Sequence, residues 1–272
     1  MHELSTDLPE PWEADLSDAE RSEKRLVPAV ERAVAIMDLL ADTPRPMGVS
    51  DIARDLGLPK SSVYGICETL TDLGLLRPGP SGYGPGPRPL RWSSAYLSRT
   101  SLVQEFRILV AQDAVLSGYT VTLSALDGAN VVYLACQNAD KPLGFTFQAG
   151  QHLPAVFTAT GKAMLAALPE EDRRARLAGS WHPPFTRNSV PDAAAFEAQL
   201  PRWRALGYAI DNGEIREGMI CLGAAVLNAA QKPLAGIAIS LTSAEARPEV
   251  QETLGQLIAN IAGRLGRAAP EA

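Results

Sequence analysis

The 272-residue sequence lacks most of what an enzyme or a membrane protein is built from. No apolar run approaches the roughly 20 residues needed to cross a bilayer. The start, Met1 to Glu10, carries acidic residues where a secretory signal would carry basic ones. A soluble, cytoplasmic protein without a membrane partner is therefore expected. Three scattered cysteines, Cys67, Cys136 and Cys221, show no metal-ligand spacing and form no even set for a disulfide framework, so buried reduced thiols are expected. Only three histidines are present, and His152 and His182 lack a third ligand at usable spacing, so no metal site is expected. GxSxG, HExxH and a GxGxxG after a strand are all missing, and no nucleophile stands with a base in a recognisable arrangement. No catalytic residue and no cofactor is expected.

The net charge of −6 argues against a nucleic-acid partner until it is divided along the chain. Residues 1–24 hold eight carboxylates against Arg21 and Lys24, a surplus of six. Residues 25–91 hold eight Arg and Lys against seven Asp and Glu, so that stretch is nearly neutral. The acidity lives in the tail, whose polar, proline-containing composition cannot bury enough apolar surface to fold alone; residues 1–24 are expected to be disordered.

Beyond the tail the chain has helical periodicity. Val30, Ala33, Val34, Met37 and Leu40 recur at spacings of three and four over Pro28 to Leu40, and the turn Thr43 to Pro46 ends that stripe. Ser50 is an N-cap candidate for a short helix over Asp51 to Leu56 with Ile52, Ala53 and Leu56 inward. Gly57 breaks it, Pro59 opens a third helix with Val63, Ile66, Leu70 and Leu73 as its buried stripe, and Gly74 closes that. Two short helices joined at a glycine-containing turn describe a helix-turn-helix, whose second helix enters the DNA major groove. Lys60, Ser61, Ser62 and Tyr64 lie on the exposed first turn of that helix and can reach base edges or a phosphate. Leu75 to Gly86 reads as a β-hairpin wing with Arg77 as its phosphate contact. An ordinary three-helix bundle fits the same periodicity, and the pattern alone leaves both open.

Leu90, Trp92, Tyr96, Leu97, Leu102, Val103 and Phe106 suggest a connecting helix over residues 89–106. Its apolar face packs either on its own C-terminal domain or across a dimer that sets two recognition helices about 34 Å apart on a two-fold site. From Gly118 the pattern turns to β. Thr120 to Ala125 and Val131 to Ala135 flank the turn Leu126-Asp-Gly-Ala-Asn, and Leu143 to Phe147 reads as a further strand. Thr158 or Thr160 caps a helix through Leu168, and Phe196 to Leu206 gives another. Strands at Gly207 to Asp211, Ile220 to Leu227 and Leu234 to Leu241 precede a final helix ending near Arg264. This is the pattern of an α+β domain with an antiparallel sheet.

Val49-Ser-Asp-Ile-Ala-Arg-Asp-Leu-Gly-Leu-Pro-Lys-Ser-Ser-Val-Tyr, continuing through Thr69-Leu to Leu73-Gly-Leu-Leu, resembles the DNA-binding half of IclR-type bacterial transcription regulators. Asp127-Gly, Val132-Tyr-Leu, Leu153-Pro, Gly161-Lys-Ala-Met-Leu, Gly207-Tyr-Ala-Ile-Asp211, Glu214, Gly218 and Cys221 resemble the family's C-terminal half, a relative of GAF-like sensor folds. The resemblance spans nearly all of residues 26–265. It implies a winged helix-turn-helix over residues 25–88, a linker helix over 89–106 and an effector-binding domain over 107–268. It also implies double-stranded DNA, a small organic effector and a second copy of the chain, as a dimer or dimer of dimers, for partners. The DNA-facing set it implies is Ser50, Lys60, Ser61, Ser62, Tyr64, Gly65 and Arg77. The effector cavity it implies is lined by Leu143, Phe145, Leu153, Ala159, Thr160, Gly161, Asp211, Met219, Cys221, Ala238 and Ser240, with the N–H groups of Gly161 and Lys162 turned toward a ligand carboxylate. Two departures stand out: Gly65 replaces the arginine common in relatives, and Val156-Phe157 stands where a histidine and a small residue are common, which suggests a smaller, more apolar cavity. Repression is the expected outcome of binding. A sensor whose DNA-binding module has decayed and acts through protein contacts, or a small-molecule enzyme, are the alternatives.

Overall fold

The computed structural model describes residues 27–98, 101–140 and 144–268. They form two compact units divided between Arg99 and Thr100. The acidic tail of residues 1–24 lies outside the described residues. Among the described residues no helix is long and apolar enough to cross a membrane.

The first unit contains α1 (Pro28–Asp42), α2 (Val49–Asp55), α3 (Lys60–Asp72), β1 (Leu76–Gly79), β2 (Gly82–Pro85) and α4 (Arg88–Ser98). Its core joins Ile36 and Leu40 of α1, Ile52 and Ala53 of α2, and Val63, Cys67 and Leu70 of α3 with Met47 and Leu76. Three expectations change. The buried stripe of α1 runs through Ala33, Ile36, Met37 and Leu40, while Val30 and Val34 are 60 % and 53 % exposed. Leu73, expected inside α3's stripe, is exposed at its C-terminus, and Cys67 fills that face instead. Ser50 is not an N-cap: α2 begins at Val49, two residues before the expected start, behind Gly48, so Ser50 is exposed within its first turn. Pro59 is the residue before α3, its carbonyl accepting the Val63 N–H at 3.1 Å. The hairpin is anchored to the unit by Met47 and Tyr83, whose backbones exchange two hydrogen bonds of 3.0 and 2.8 Å.

The connecting helix expected over 89–106 is two helices. α4 carries Leu90, Trp92 and Tyr96, all exposed in the single chain. Leu102, Val103, Phe106 and Val110 belong to α5 (Leu102–Gln112), and they are buried in the second unit, where α5 packs on strands of its sheet and on its last helix.

That second unit is α+β. A 3-10 turn (Leu116–Gly118) leads into β3 (Thr120–Asp127), β4 (Asn130–Gln137), β5 (His152–Pro154), α6 (Ala159–Ala167), α7 (Glu170–Leu177), α8 (Ala193–Glu197), α9 (Leu200–Leu206), β6 (Ala209–Asn212), β7 (Met219–Leu227), β8 (Pro233–Thr242) and α10 (Pro248–Ala268). The strands form one antiparallel sheet in the order β5-β4-β3-β8-β7-β6. Residues 144–148 are irregular rather than the strand expected at Leu143 to Phe147, of which Leu143 lies outside the described residues; the edge beside β4 is filled by β5. The helix expected over Phe196 to Leu206 is broken into α8 and α9.

Alternation gives this sheet two buried faces. Leu222, Ile237, Ile239 and Leu241 point to the face covered by α10, which adds Leu254, Ile258, Ile261 and Leu265. The intervening residues point to α6. There the helix approaches so closely that a Cβ on Gly223 would lie 2.6 Å from the Ala159 carbonyl carbon, and one on Gly236 would lie 2.7 Å from the Thr160 Cβ. Two glycines on adjacent strands therefore set the depth at which α6 begins. Gly223→Ala is expected to destabilise the second unit by about 1–3 kcal/mol, because backbone must move to admit the methyl group. Gly118→Ala, which meets open space, should stay within about 0.5 kcal/mol. Urea midpoints for the two variants test this, and equal values would contradict the close approach.

Candidate functional site

In the first unit the exposed face of α3 begins with Lys60 and Ser61 and continues through Tyr64 and Gly65. Ser62 is half-buried, and Arg32 reaches it from α1, donating from Nη1 to Ser62 Oγ at 3.4 Å. This neighbour is absent from the expected set, since only packing brings α1 beside the start of α3. Ser50 and Arg77 are exposed on α2 and β1. Arg54, by contrast, is engaged by Asp51 at 2.9 Å and Asp55 at 3.0 Å, so little of its charge is free for a phosphate. The wing is tied to α3: the Tyr83 hydroxyl donates to Glu68 Oε1 at 2.8 Å, which raises the tyrosine pKa to about 12.

Gly65 interrupts α3 on this face, and a side chain there would meet open space. Gly65→Arg should therefore fold normally, add about 1 kcal/mol to helix stability and tighten binding to a random-sequence duplex, steepening the salt dependence by about one unit of log-log slope. Fluorescence anisotropy at several salt concentrations reads this directly; an unchanged slope would count against DNA contact at that position.

The second unit encloses a small cavity where α6 begins. Strand register lays its floor: Asp211 of β6 pairs with Cys221 of β7, Cys221 with Ser240 of β8, and Ser240 with Thr120 of β3. The next row carries Gly223, Ala238 and Thr122. Thr122, Tyr133, Thr158, Ala159, Thr160, Asp211, Ile215, Met219, Cys221, Ala238 and Ser240 line the cavity. Of the expected set, Ala159, Thr160, Asp211, Met219, Cys221, Ala238 and Ser240 are thus brought together. Phe145 and Leu153 are not: Phe145 lies under the Arg216 guanidinium, 5.5 Å from its ring centroid, and Leu153 sits on edge strand β5. Leu143 lies outside the described residues.

Gly161 does not offer a free donor. Its N–H is capped by Thr158 Oγ1 at 3.1 Å and that of Lys162 by the Thr158 carbonyl at 2.9 Å. Thr158 is thus the N-cap, and the first-turn N–H groups that the cap does not engage belong to Ala159 and Thr160, which line the cavity. Val156 and Phe157 are buried but do not line it; Phe157 packs with Trp181 and Phe185 at centroid distances of 6.5 and 5.8 Å.

Thr122, Tyr133, Thr158 and Ile215 complete the lining and were missed by sequence reasoning. Tyr133 faces the cavity because of a bulge: β3 and β4 pair Leu123 with Ala135 but Ser124 with Tyr133, shifting the alternation by one residue. No composition signal marks that bulge. Thr158 was one of two cap candidates, and a Thr three residues before a glycine is the trace it left.

A buried ion pair supports the site. The Lys162 ammonium donates to Glu214 Oε1 and, at 3.1 Å, to the Ile210 carbonyl, and lies 5.3 Å from the Trp203 ring centroid. Glu214 Oε2 accepts the Val190 N–H at 3.1 Å, and Asp211 Oδ1 accepts the Glu214 N–H at 2.7 Å. One chain of bonds therefore joins α6 to the loop after β6. Burial pushes Asp211 up to about 7, against the lowering effect of the Glu214 N–H and the Lys162 charge. Burial also holds the Cys221 thiol protonated, with the nearby Asp211 adding to the effect, and its sulfur lies 3.3 Å from Ser240 Oγ. Among the described residues no group of three or more His, Cys, Asp or Glu is placed to hold a metal ion.

The folded value of Asp211 lies above the ordinary carboxylate value of 3.8, so between about pH 4 and pH 7 the folded chain holds a proton that the unfolded chain has released. Stability should fall as pH rises across that window. Asp211→Asn should remove this contribution, seen as a shallower decline of the urea midpoint over the same range; identical slopes would refute the burial argument.

A winged helix-turn-helix joined to an antiparallel-sheet domain with an enclosed, partly polar cavity defines a regulator that couples DNA binding to a sensor fold. Comparison with known proteins makes this specific. Residues 29–80 match the IclR helix-turn-helix domain, and residues 94–266 match the bacterial transcriptional regulator IclR C-terminal domain. The chain belongs to the IclR family of transcriptional regulators, DNA-binding proteins rather than enzymes. It is 30 % identical to the HTH-type transcriptional regulator BhcR of Paracoccus denitrificans over 214 residues, 78 % of this chain and 76 % of that protein. The crystal structure of the Agrobacterium tumefaciens repressor BlcR is 41 % identical with a TM-score of 0.58, covering 90 % of this chain and 98 % of that one. The fold also matches an IclR homologue from Microbacterium hydrocarbonoxydans complexed with 4-hydroxybenzoate, 19 % identical with a TM-score of 0.69, over 88 % of this chain and 99 % of that one.

Proposed function

We propose that this chain is a cytoplasmic, ligand-responsive repressor that binds a two-fold DNA operator as a dimer or dimer of dimers. Residues 25–88 read the DNA, the rest of α4 to Ser98 connects, and residues 102–268 sense the ligand. Lys60, Ser61, Ser62 and Tyr64 enter the major groove, with Ser50, Gly65 and Arg77 beside them and Arg32 reinforcing the start of α3. The effector is a small organic carboxylate.

The observation that carries the ligand reading is the cavity itself. It combines apolar walls of Ala159, Met219, Ala238 and Ile215 with the hydroxyls of Thr160 and Ser240 at the start of a helix whose first N–H groups the Thr158 cap does not engage. The 4-hydroxybenzoate held by the Microbacterium homologue is an acid of the same class. Self-association is supported by the apolar side chains that the single chain leaves exposed, Val27, Val30 and Val34 on and before α1, and Leu90, Trp92 and Tyr96 on α4. Ligand acts by linkage: it binds two dimer arrangements with different affinity and so changes the separation of the recognition helices.

An electrophoretic mobility shift with the duplex upstream of the chain's own gene tests the reading. A retarded band is expected, released by one member of a panel of aliphatic and aromatic acids. Lys60→Ala, at an exposed position, should abolish most of the shift without altering the fold, seen by circular dichroism. An unshifted probe at low salt would defeat the DNA-reading role.

A further inference from the structure

The cavity already contains one carboxyl group, which sets a condition on any acid that enters. Asp211 is 1 % exposed. The titratable or charged groups facing it are Lys162 from α6, Glu214 from the loop after β6, Cys221 from β7 and Tyr133 from β4. Cys221 and Tyr133 are held neutral by burial. Lys162 is the single cation among these groups, and its ammonium is already bonded to Glu214. The pair is neutral as a unit, so Asp211 has no cation of its own and relies on the Glu214 and Ile215 N–H groups and the more distant Lys162 charge. Two carboxylates confined to a water-poor cavity do not both stay ionised, because the second charge finds neither solvent nor a cation to stabilise it.

Resting on the reading of this cavity as an acid-binding pocket, we infer that the carboxylate ligand enters together with one proton, which Asp211 and the ligand share, so that effector binding is coupled to pH. The step balances simply: a ligand carboxylate, the Asp211 carboxylate and one proton from solvent give a carboxylic acid hydrogen-bonded to a carboxylate, with one O–H bond formed and nothing oxidised or reduced. Protonated Asp211 becomes a donor on one side of the ligand. The Ala159 and Thr160 N–H groups serve the other. Burial has already brought Asp211 to about 7, so the proton is available near neutrality, and a second carboxylate beside it raises its affinity further. A neutral or cationic ligand in the same cavity would take up no proton.

Isothermal titration calorimetry of the full chain with acetate, butyrate, benzoate and 4-hydroxybenzoate, from about pH 6 to pH 9 in buffers of different ionisation enthalpy, decides the matter. The expected result for an acid that binds is uptake of close to one proton per ligand at pH 8, and affinity that is flat below pH 7 and falls about tenfold per pH unit above it. Asp211→Asn should bind without proton uptake and with affinity independent of pH. If that variant does not fold, the proton count of the unsubstituted chain stands as the test. Binding without proton uptake and with constant affinity overturns the inference while the acid-binding pocket stands. Failure of every acid to bind at any pH removes that reading and the inference with it.

Discussion

The start of α6 lies against β7 and β8 at a distance that tolerates no Cβ on Gly223 or Gly236, and the ligand-binding half of the chain is arranged around that contact. A helix held so deep brings its first turn over the face of the sheet where Asp211, Cys221 and Ser240 stand in one cross-strand row. Thr158 caps the helix, and Ser124 donates to Thr160 Oγ1 at 2.8 Å from beneath. The buried Lys162 extends the same helix into the loop after β6 through Glu214. Removing one partner of such a pair leaves an unpaired charge in the interior, which costs about 3–5 kcal/mol, so the loop that carries Asp211 and Ile215 is held in register with the helix.

The cavity is small, so on the proposed reading an organic acid enters it only as its walls part. Its walls come from different elements: five strands of the sheet, one helix terminus and one loop. On the proposed reading, a ligand that fills it touches several of them at once, and any preference for one spacing of α6 and the β6–β7 loop over another would become free energy available to shift a dimer equilibrium. The apolar side chains left exposed on α1 and α4 lie in the DNA-reading unit, where a partner copy would bury them.

The DNA-reading face is built more simply. A three-helix core of Ile36, Leu40, Ile52, Val63, Cys67 and Leu70 holds α3 with its opposite side in solvent, and the wing is fixed by Met47 and by the bond between Tyr83 and Glu68. With Arg54 engaged by neighbouring aspartates and Gly65 bearing no cation, positive charge on this face rests on Lys60, Arg32 and Arg77. Such a surface contacts few phosphates, so on the proposed reading Ser61, Ser62 and Tyr64 carry a larger share of the discrimination.

The sequence by itself determined most of the element types and their order, though not the irregular stretch at residues 144–148 or the breaks that divide two expected helices, because helical and strand periodicities are local and turn residues such as Gly57, Gly74 and Asp127-Gly128 mark their ends. It also determined most of the cavity: Asp211, Cys221, Ser240 and Ala238 could be placed by resemblance because they sit in regular strands. Only the tertiary structure decided that Val30 and Val34 stay in solvent, since an apolar stripe does not state which of its edges meets a neighbour. Only it turned Tyr133 into the cavity, through a bulge that shifts one strand's alternation, and only it assigned the cap to Thr158, so that the open donors became those of Ala159 and Thr160. The first two depend on packing and pairing register between separate elements, which outweigh local preference; the cap is a local bond from Gly161 to Thr158, while the other candidate, Thr160, is engaged by Ser124 from a distant strand.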